Sequence, residues 1–496
     1  MRIAIFLCVF LVASCAALWA AALAFEAAQT TRTNYKYISS ALAPIPQRDL
    51  AVTWRSPDTE MVRPFTPADA VLIGRALQEA WQIHAVAQDS GNPDLIADRF
   101  TGVAQERATL SVKDALAHGG RMIVLSQEVT PRFYHKDGSL FQAQVEMMVV
   151  RYLSVDGINL DTIRVTQDTG IATLLNESNG WRLMSWERRT SVPFEQSVAG
   201  FEGQLFGMNY YPAETPWRDF WPSFDAGEIA RDFAKIKDLN ANSVRVFLTR
   251  DAFIGDQSEA ALANLTSLLA AADAQSLRVV PTLFDLKQDF GLGTWADDAE
   301  YLKRVLPVLA QSPAVAFVDL KNEPDLDFDA HGRAKVTAWL SGMLTVSRSV
   351  ASDLAFSIGW SAAQAADILV DELDVISYHD YAPIESAEMR LADVRAKIGD
   401  KPIYITEIGT STFTLAAGFP GSETAQAKRL EQRLSALSNA NGVMVWTLYD
   451  FPNVDPTVVG GSPWVKRLQA KFGVFRADRS EKPAANVLRA QFSAEK

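Results

Sequence analysis

Residues 315–325 read VAFVDLKNEPD, an apolar run that ends in Asn322 and Glu323 and is followed by a proline. The same arrangement returns at 402–411, PIYITEIGTS, where Glu407 comes at the end of the apolar run. Short apolar runs of this kind are typical of strands that are buried on both faces, as in parallel sheets. The two stretches therefore predict parallel strands whose carboxyl ends carry glutamates.

The same pattern extends over the second part of the chain. The predicted strands are 206–210, 243–247, 278–283, 315–320, 355–358, 375–378, 403–406 and 443–447. Helical patterns separate them, for example at 228–239, 259–274, 295–309, 333–350 and 424–437. Alternation of strands and helices is typical of α/β proteins with a parallel sheet. Eight such units over 203–496 predict a (β/α)8 TIM barrel, a fold whose catalytic residues lie at the carboxyl ends of the strands.

A small α+β domain is predicted at 61–195. A helix begins at Thr66-Pro67 and a second one at 101–118 stops at Gly119-Gly120. Strand patterns follow at 122–127, 129–135, 143–153, 158–166, 171–175 and 181–187, and the turn pairs between them are Asp137-Gly138, Asp156-Gly157 and Asn179-Gly180. The stretch 174–189, LLNESNGWRLMSWERR, resembles the last hairpin of nuclear-transport-factor-2-like proteins. We interpret the domain as structural or partner-binding.

Three histidines of this domain are candidates for chemistry. They are His84, His118 and His135, and no carboxylate partner is evident beside them in the sequence. We therefore expect them to be structural.

The first 25 residues are predicted to be a targeting or anchoring segment, and 26–60 a linker. Residues 3–25 are apolar except for Ser14 and are preceded by Arg2. About 20 apolar residues suffice to cross a bilayer, and a basic flank favours a cytoplasmic amino terminus. An uncleaved anchor is favoured over a signal peptide cleaved near 22–24 and over a lipoprotein box at 12–15. The predicted location is the cell envelope, with the chain anchored in the inner membrane and facing the periplasm, or secreted if the segment is removed.

Composition excludes several classes of function. Lysine and arginine number 47 against 59 acidic residues, a net charge of −12, so nucleic-acid binding is not expected. Both cysteines, Cys8 and Cys15, fall inside the predicted membrane segment, which excludes a cysteine nucleophile from the exported part. The five histidines are scattered and no phosphate loop or dinucleotide fingerprint occurs, so no metal and no cofactor are predicted. The chemistry is expected to rest on carboxylates.

Glu323 and Glu407 are the predicted catalytic pair. Strands 4 and 7 of the barrel lie across its opening from each other, so the two carboxylates can face one substrate. Paired carboxylates of this kind suit cleavage of a glycosidic bond, in which one protonates the leaving oxygen and the other attacks the sugar. Glu323 would need a raised pKa to hold its proton near neutrality.

Residues 203–492 resemble a clan A glycoside hydrolase, most closely family 5, in the Asn-Glu-Pro of strand 4 and the Glu of strand 7. The resemblance implies that Glu323 is the acid/base, that Glu407 is the nucleophile, and that the reaction retains configuration. Further positions match the family: Arg245 near the nucleophile, Asn322 for the sugar 2-hydroxyl, His379 and Tyr381 after strand 6, and Trp446 as the sugar platform. One position departs from it, because Phe284 and Asp285 follow strand 3 where the family often has a histidine.

Aromatic residues suggest how a sugar is held. The loop after strand 1, NYYPAETPWRDFWPSFD, contains Tyr210 and Trp217, which we predict to bind substrate because sugar rings stack on aromatic faces. The predicted function is that of a retaining β-glycoside hydrolase acting on a poly- or oligosaccharide outside the cytoplasm. Two alternatives remain: a transglycosylase with the same residues, and an inactive glycan-binding scaffold in an envelope polysaccharide assembly complex. The expected partners are a carbohydrate, the membrane through the first segment, and possible envelope polysaccharide machinery.

Overall fold

The computed structural model of the protein describes residues 52–58, 60–155, 159–177, 180–195, 199–414 and 421–494. The predicted membrane segment and most of the linker lie outside these ranges, as do Asp156-Gly157 and Asn179. Within the described ranges, no helix combines the length and the apolar character needed to cross a membrane. The chain divides into two compact units, and residues 147–168 of the predicted α+β domain are grouped with the barrel. The domain boundary at 195–203 stays a prediction.

A five-stranded sheet and two helices form the α+β part. The strands are β1 (Val52–Trp54), β2 (Gly120–Tyr134), β3 (Leu140–Val155), β4 (Asn159–Glu177) and β5 (Gly180–Pro193), and they lie in that order in the sheet. The helices are α1 (Pro67–Ser90) and α2 (Gly102–His118). Strand β1 pairs parallel to β2. The short connections between β2 and β5 make those neighbours antiparallel, because parallel pairs need long crossovers.

The start of α1 follows from its capping residues. The Thr66 side chain accepts a hydrogen bond from the Asp69 amide, and the Asp69 carboxylate accepts one from the Thr66 amide, with Pro67 in the first turn. This reciprocal pair satisfies two amides that the helix itself leaves without partners. The helix ends at Gly91, whose φ of +71° is left-handed. The start of this helix predicted from Thr66-Pro67 is confirmed.

The strands are longer than their sequence pattern indicates. Six predicted segments merge into four strands, and the polar run 166–170 continues β4 instead of ending it. Asp168 in that run is fully buried, and its carboxylate accepts hydrogen bonds from Arg151, Thr166 and Ser191 at 2.5–2.8 Å. A buried carboxylate with such partners is compatible with the interior of a sheet, so the strand continues across the gap between the predicted segments 158–166 and 171–175.

The three histidines of the α+β part differ in environment. His84 is buried between Gln88 and Ser111, and burial lowers the pKa of its ring to about 4, so it is neutral. His118 and His135 do have carboxylate partners, Asp114 at 2.9 Å and Asp137 at 2.5 Å, which the sequence analysis did not identify. Both of these pairs are exposed and near in sequence.

Eight parallel strands close the barrel. They are β6 (Leu205–Tyr210), β7 (Ser243–Phe247), β8 (Arg278–Thr282), β9 (Val318–Asn322), β10 (Phe356–Trp360), β11 (Ile376–His379), β12 (Ile403–Ile408) and β13 (Gly442–Val445), with β13 pairing to β6. Helices in this part are α3 (Ala226–Asp238), α4 (Ser258–Ala274), α5 (Trp295–Ala310), α6 (Phe328–His331), α7 (Arg333–Val350), α8 (Ala387–Ile398), α9 (Glu423–Ala436), α10 (Pro456–Val459), α11 (Pro463–Gln469) and α12 (Pro483–Ala494). The predicted TIM barrel is confirmed.

The repeat is irregular after β10. Two 3-10 turns, Ala363–Ala365 and Val370–Glu372, stand where an α-helix is predicted between β10 and β11. Elsewhere, helices α3, α4, α5, α7 and α9 match their predicted ranges to within two residues.

A buried cluster that includes Leu205, Phe317 and Tyr404 lies near the amino ends of the strands. That end of the barrel is therefore filled with apolar side chains, and the polar residues collect at the other end.

Candidate active site

Arg245 is the centre of the candidate site. It lies in the middle of β7, has no solvent exposure, and uses all its N–H groups. Its Nε and Nη2 donate to Asp319 Oδ2 at 3.1 and 2.7 Å. Nη1 donates to Asn209 Oδ1 at 3.1 Å and to Glu407 Oε1 at 2.6 Å, and Nη2 also donates to Asn322 Oδ1 at 2.9 Å. One guanidinium thus fixes the positions of residues from β6, β9 and β12.

Asp319 is the fixed counter-charge of Arg245. It is buried in β9 and also accepts hydrogen bonds from Ser357 at 3.0 Å and Thr282 at 3.3 Å. Gly359 makes room for this pair, because a Cβ there would lie 2.6 Å from Asp319 Oδ2 and 2.9 Å from Arg245 Nη2. Burial alone would lower the pKa of Arg245, but the charges of Asp319 and Glu407 outweigh it and raise that pKa. The guanidinium therefore stays charged.

Glu407 is held at both carboxylate oxygens. Oε1 accepts from Arg245, and Oε2 accepts from the Tyr381 hydroxyl at 3.0 Å. The Glu407 side chain is 9% exposed, at the end of β12. A charge-assisted hydrogen bond from a guanidinium stabilises negative charge on a carboxylate and fixes its orientation. The site thus presents an oriented, anionic oxygen to the mouth of the barrel.

Glu323 faces Glu407 across the mouth. His379 Nδ1 lies 2.8 Å from Glu323 Oε1 and 3.7 Å from Glu407 Oε2. The Glu323 side chain is 28% exposed, and Oε2 has no hydrogen-bond partner among the described residues. Its backbone is left-handed, with φ 48° and ψ 50°, a conformation that costs a residue with a Cβ about 1–2 kcal/mol. One oxygen of Glu323 is therefore held by His379, and the other is open to a ligand.

The predicted raised pKa of Glu323 is wrong. Burial favours a raised pKa, but the hydrogen bond to His379 and the charge of that ring outweigh burial and lower the pKa of Glu323. Burial lowers the pKa of His379, but the charge of Glu407 and the bond to Glu323 outweigh it and raise that pKa. The pair therefore carries its proton mainly on the imidazole ring.

The same three residues have the composition of a metal site. One ligand atom each of Glu323, His379 and Glu407 lies within 4.8 Å of the other two. A divalent cation at that point would compete with the hydrogen bonds that Glu407 already accepts from Arg245 and Tyr381. The geometry thus brings potential ligands together that are far apart in the sequence.

The structure brings six of the nine predicted site residues into this cluster: Arg245, Asn322, Glu323, His379, Tyr381 and Glu407. A seventh, Trp446, is half-buried just after β13 and lies edge-on to Tyr211 and Phe247, with ring centroids 6.3 and 5.8 Å apart. The peptide bond that follows Trp446 is cis.

Tyr210 and Trp217 do not join the cluster. The Tyr210 hydroxyl donates to Asp232 of α3 at 2.9 Å, and its ring packs against Phe233, so this side chain points from the barrel to the helix layer. Trp217 is 4% exposed and packs against Tyr211 and Phe451. Both predicted substrate contacts are therefore corrected to packing residues, because burial leaves their ring faces without room for a sugar.

Several residues of the site escaped sequence analysis. Asn209 and Asp319 are polar residues inside apolar strands. Gly359 is the residue of β10 that lies against the ion pair of Arg245 and Asp319. The sequence does show that Asn209 and Asp319 are polar residues within apolar runs. A polar or charged side chain within a fully buried strand needs a buried partner. That partner is Arg245, and only the closed barrel brings Arg245 next to these two residues.

Comparisons with known proteins give similarities at the level of structure. No protein-family model matches the chain, and no curated protein sequence matches it. GH5_18 from Streptomyces cattleya in complex with GlcNAc has 18% identity and a TM-score of 0.49, covering 60% of this chain and 81% of that chain. Exo-beta-1,4-mannosidase Op5Man5 from Opitutaceae bacterium strain TAV5 has 21% identity and a TM-score of 0.49, covering 61% and 62%. GH2 beta-galacturonidase from Eisenbergiella tayi has 16% identity and a TM-score of 0.47, covering 75% and 72%.

Proposed function

We propose that the protein is a retaining β-glycoside hydrolase that acts on a poly- or oligosaccharide. The observation that carries the proposal is the pair of facing carboxylates, Glu323 and Glu407, with oxygens within 4.8 Å of each other. Retaining glycosidases separate their two carboxyl groups by about 5–5.5 Å, and inverting ones by about 6.5–9.5 Å. The short separation leaves room for a sugar carbon and not for an additional water, which favours attack by a carboxylate.

In the first step, an oxygen of Glu407 forms a bond to the anomeric carbon while the glycosidic C–O bond breaks. The leaving oxygen takes a proton from Glu323, whose open Oε2 is the oxygen placed to deliver it. That proton is the one that the pair holds mainly on His379, so the step leaves Glu323 as a carboxylate and His379 as a neutral imidazole. The negative charge of Glu407 disappears in the ester, so His379 loses one of the charges that hold its proton.

In the second step, Glu323 accepts a proton from water, and the water oxygen attacks the anomeric carbon. The ester bond to Glu407 breaks, and the carboxylate returns to its hydrogen bonds with Arg245 and Tyr381. Reversal of the proton-transfer role of Glu323 between the two steps is typical of retaining enzymes.

Asn322 is oriented to bind the sugar. A guanidinium has only donors, so the amide atom that faces Arg245 must be the oxygen. The Asn322 NH2 group has no partner among the described residues and lies next to the acid/base. It can donate a hydrogen bond to a substrate hydroxyl near the reacting carbon.

Covalent labelling tests the proposal. Activated 2-fluoro glycosides of several sugars should leave an adduct on Glu407, read by peptide mass spectrometry. Glu407→Gln should abolish the adduct, and Glu388→Gln, a matched change at an exposed residue of α8, should leave it intact. No adduct with any sugar, together with no turnover on a glycan panel, would favour a glycan-binding scaffold. Product analysis in the presence of acceptor sugars separates hydrolysis from transglycosylation.

We also propose that the chain works outside the cytoplasm, held in the inner membrane by residues 3–25. The support is the apolar sequence that follows Arg2 and the confinement of both cysteines to that segment. Cell fractionation of the full chain, with protease added to intact spheroplasts, tests this. The catalytic part should be in the membrane fraction and be digested by external protease. Resistance to that protease would contradict the proposal.

A further inference from the structure

Asp285 lies at the mouth of the barrel, in the loop that follows β8. Its amide donates to the Leu248 carbonyl at 3.1 Å, which anchors the loop to the residue after β7. Its Oδ2 accepts a short hydrogen bond from the hydroxyl of Tyr211. Tyr211 is itself fixed by a stacked contact with Phe247 at 5.0 Å and by its edge contact with Trp446. These contacts fix the carboxylate next to Tyr211, which is itself a neighbour of Trp446.

The second oxygen of Asp285 is available. Oδ1 accepts no hydrogen bond within the described part of the chain, and it is not among the buried polar atoms that lack a partner. The residue as a whole is 6% exposed, so this small exposure includes Oδ1. One carboxylate oxygen of Asp285 therefore keeps its lone pairs free to accept a hydrogen bond at this end of the barrel.

Asp285 is close to the catalytic charges. Burial raises the pKa of its carboxyl, the bond from Tyr211 and the charges of Arg245 and Lys321 oppose that rise, and the charge of Glu407 adds to it. An acceptor in this position lies near the sugar that Glu407 would attack. Asp325, another carboxylate that follows a barrel strand, has both oxygens occupied by Ser361, at 2.8 Å from its amide and 2.5 Å from its hydroxyl.

We propose that Asp285 is a substrate-binding residue that selects the sugar, its Oδ1 accepting a hydrogen bond from a hydroxyl of the unit attacked by Glu407. The inference rests on the proposed glycosidase function and adds a substrate class to it. The class is a neutral pyranoside with a free hydroxyl at the ring position that faces β8. A deoxy or O-methyl sugar at that position leaves a buried acceptor without a donor, and sites of this kind reject such analogues.

Monodeoxy aryl glycosides of the sugar identified by labelling provide the test. With the wild-type chain, removal of one hydroxyl should lower kcat/KM by about 10- to 100-fold more than removal of the others, as expected for a hydrogen bond to a charged group. Asp285→Ala should lower kcat/KM for the parent glycoside and abolish the extra loss for that deoxy sugar. Asp325→Ala, the matched control, should show the same relative losses of kcat/KM among the monodeoxy glycosides as the wild type.

Two results would overturn the inference. One is a wild-type enzyme for which no single hydroxyl matters more than the others, a measurement that requires no variant to fold. The other is an Asp285→Ala enzyme that shows the same deoxy pattern as the wild type. In both cases Glu407 would still be labelled by the 2-fluoro sugar, so failure of this inference is distinguishable from failure of the proposed function.

Discussion

His379 Nδ1 lies 2.8 Å from Glu323 Oε1 and 3.7 Å from Glu407 Oε2, so a single ring nitrogen faces both carboxylates of the site. The ring is fully buried, and the charges of these two carboxylates are the ones that raise the pKa of its imidazole. The acid proton is therefore a property of the pair Glu323–His379 and not of the glutamate alone.

The first prediction concerns the pH dependence. Because the pKa of His379 is raised above its ordinary 6.5 and that of Glu323 is lowered, the pair keeps one proton between these two values. Activity requires that proton, so the alkaline limb of kcat/KM should lie above pH 6.5. In His379→Asn the proton is held by Glu323 alone, and the limb should move to lower pH by about two units, the difference between ordinary Glu and His pKa values.

The control for this experiment is His331→Asn. This histidine also lies in the barrel, next to Phe290, and burial lowers the pKa of its ring. Its replacement should leave the alkaline limb where it is. An unchanged limb in His379→Asn would show that Glu323 holds the proton without help from the imidazole.

The second prediction concerns Glu323→Ala. Loss of a general acid typically costs about 10²–10⁴-fold in rate, and most for leaving groups that need a proton. We expect a large fall in kcat/KM on a natural saccharide and a small one on a dinitrophenyl glycoside, whose kcat nevertheless falls because the second step has lost its base. Azide should restore turnover of the activated substrate and yield a β-glycosyl azide, detected by mass spectrometry. Equal losses on both substrates would contradict an acid role.

The third prediction concerns Gly359→Ala, which touches no substrate. The added Cβ would meet Asp319 Oδ2 at 2.6 Å and Arg245 Nη2 at 2.9 Å, so the ion pair must shift. We expect a destabilisation of about 1–3 kcal/mol, typical of overpacking, together with a fall in kcat because Glu407 loses its fixed partner. Gly461→Ala is the matched control, since its Cβ would meet nothing within 4 Å. Thermal unfolding and kinetics on both variants check this.

The fourth prediction separates packing from binding at Tyr210. Asp232 also accepts hydrogen bonds from Tyr449 at 2.8 Å and Arg479 at 2.9 Å, so it keeps two partners in Tyr210→Phe. We expect a loss of about 1–2 kcal/mol in the free energy of unfolding and a KM unchanged within error. A raised KM with unchanged stability would contradict a packing role and indicate that Tyr210 contacts the substrate.

The position of Glu323 and Glu407 at the mouth of the barrel was predictable because a barrel strand ends where its apolar run ends, and each glutamate comes at that end. Tyr210 was misplaced for a related reason. Side chains alternate along a strand, and Asn209 points inward to Arg245, so its neighbour must point outward to α3. For Tyr210, this alternation of side chains along β6 predicts the orientation correctly, whereas the aromatic character of the following loop does not.

Protonation could not be predicted from residue types. The sequence places a glutamate and a histidine 56 positions apart, and only the closed barrel brings them to 2.8 Å. Hydrogen bonds and charges at that distance outweigh burial, which on its own favours the opposite pKa shift. The extra length of β4 has the same origin, since the partners of Asp168 come from neighbouring strands.

The left-handed backbone of Glu323 has a practical consequence. A residue without a Cβ adopts φ 48° freely, so Glu323→Gly removes both the carboxylate and the conformational cost of holding it. The resulting chain should be inert toward natural saccharides yet no less stable than the parent. It is thus a suitable chain for trapping an intact saccharide, in which the acceptor of each sugar hydroxyl can be seen directly.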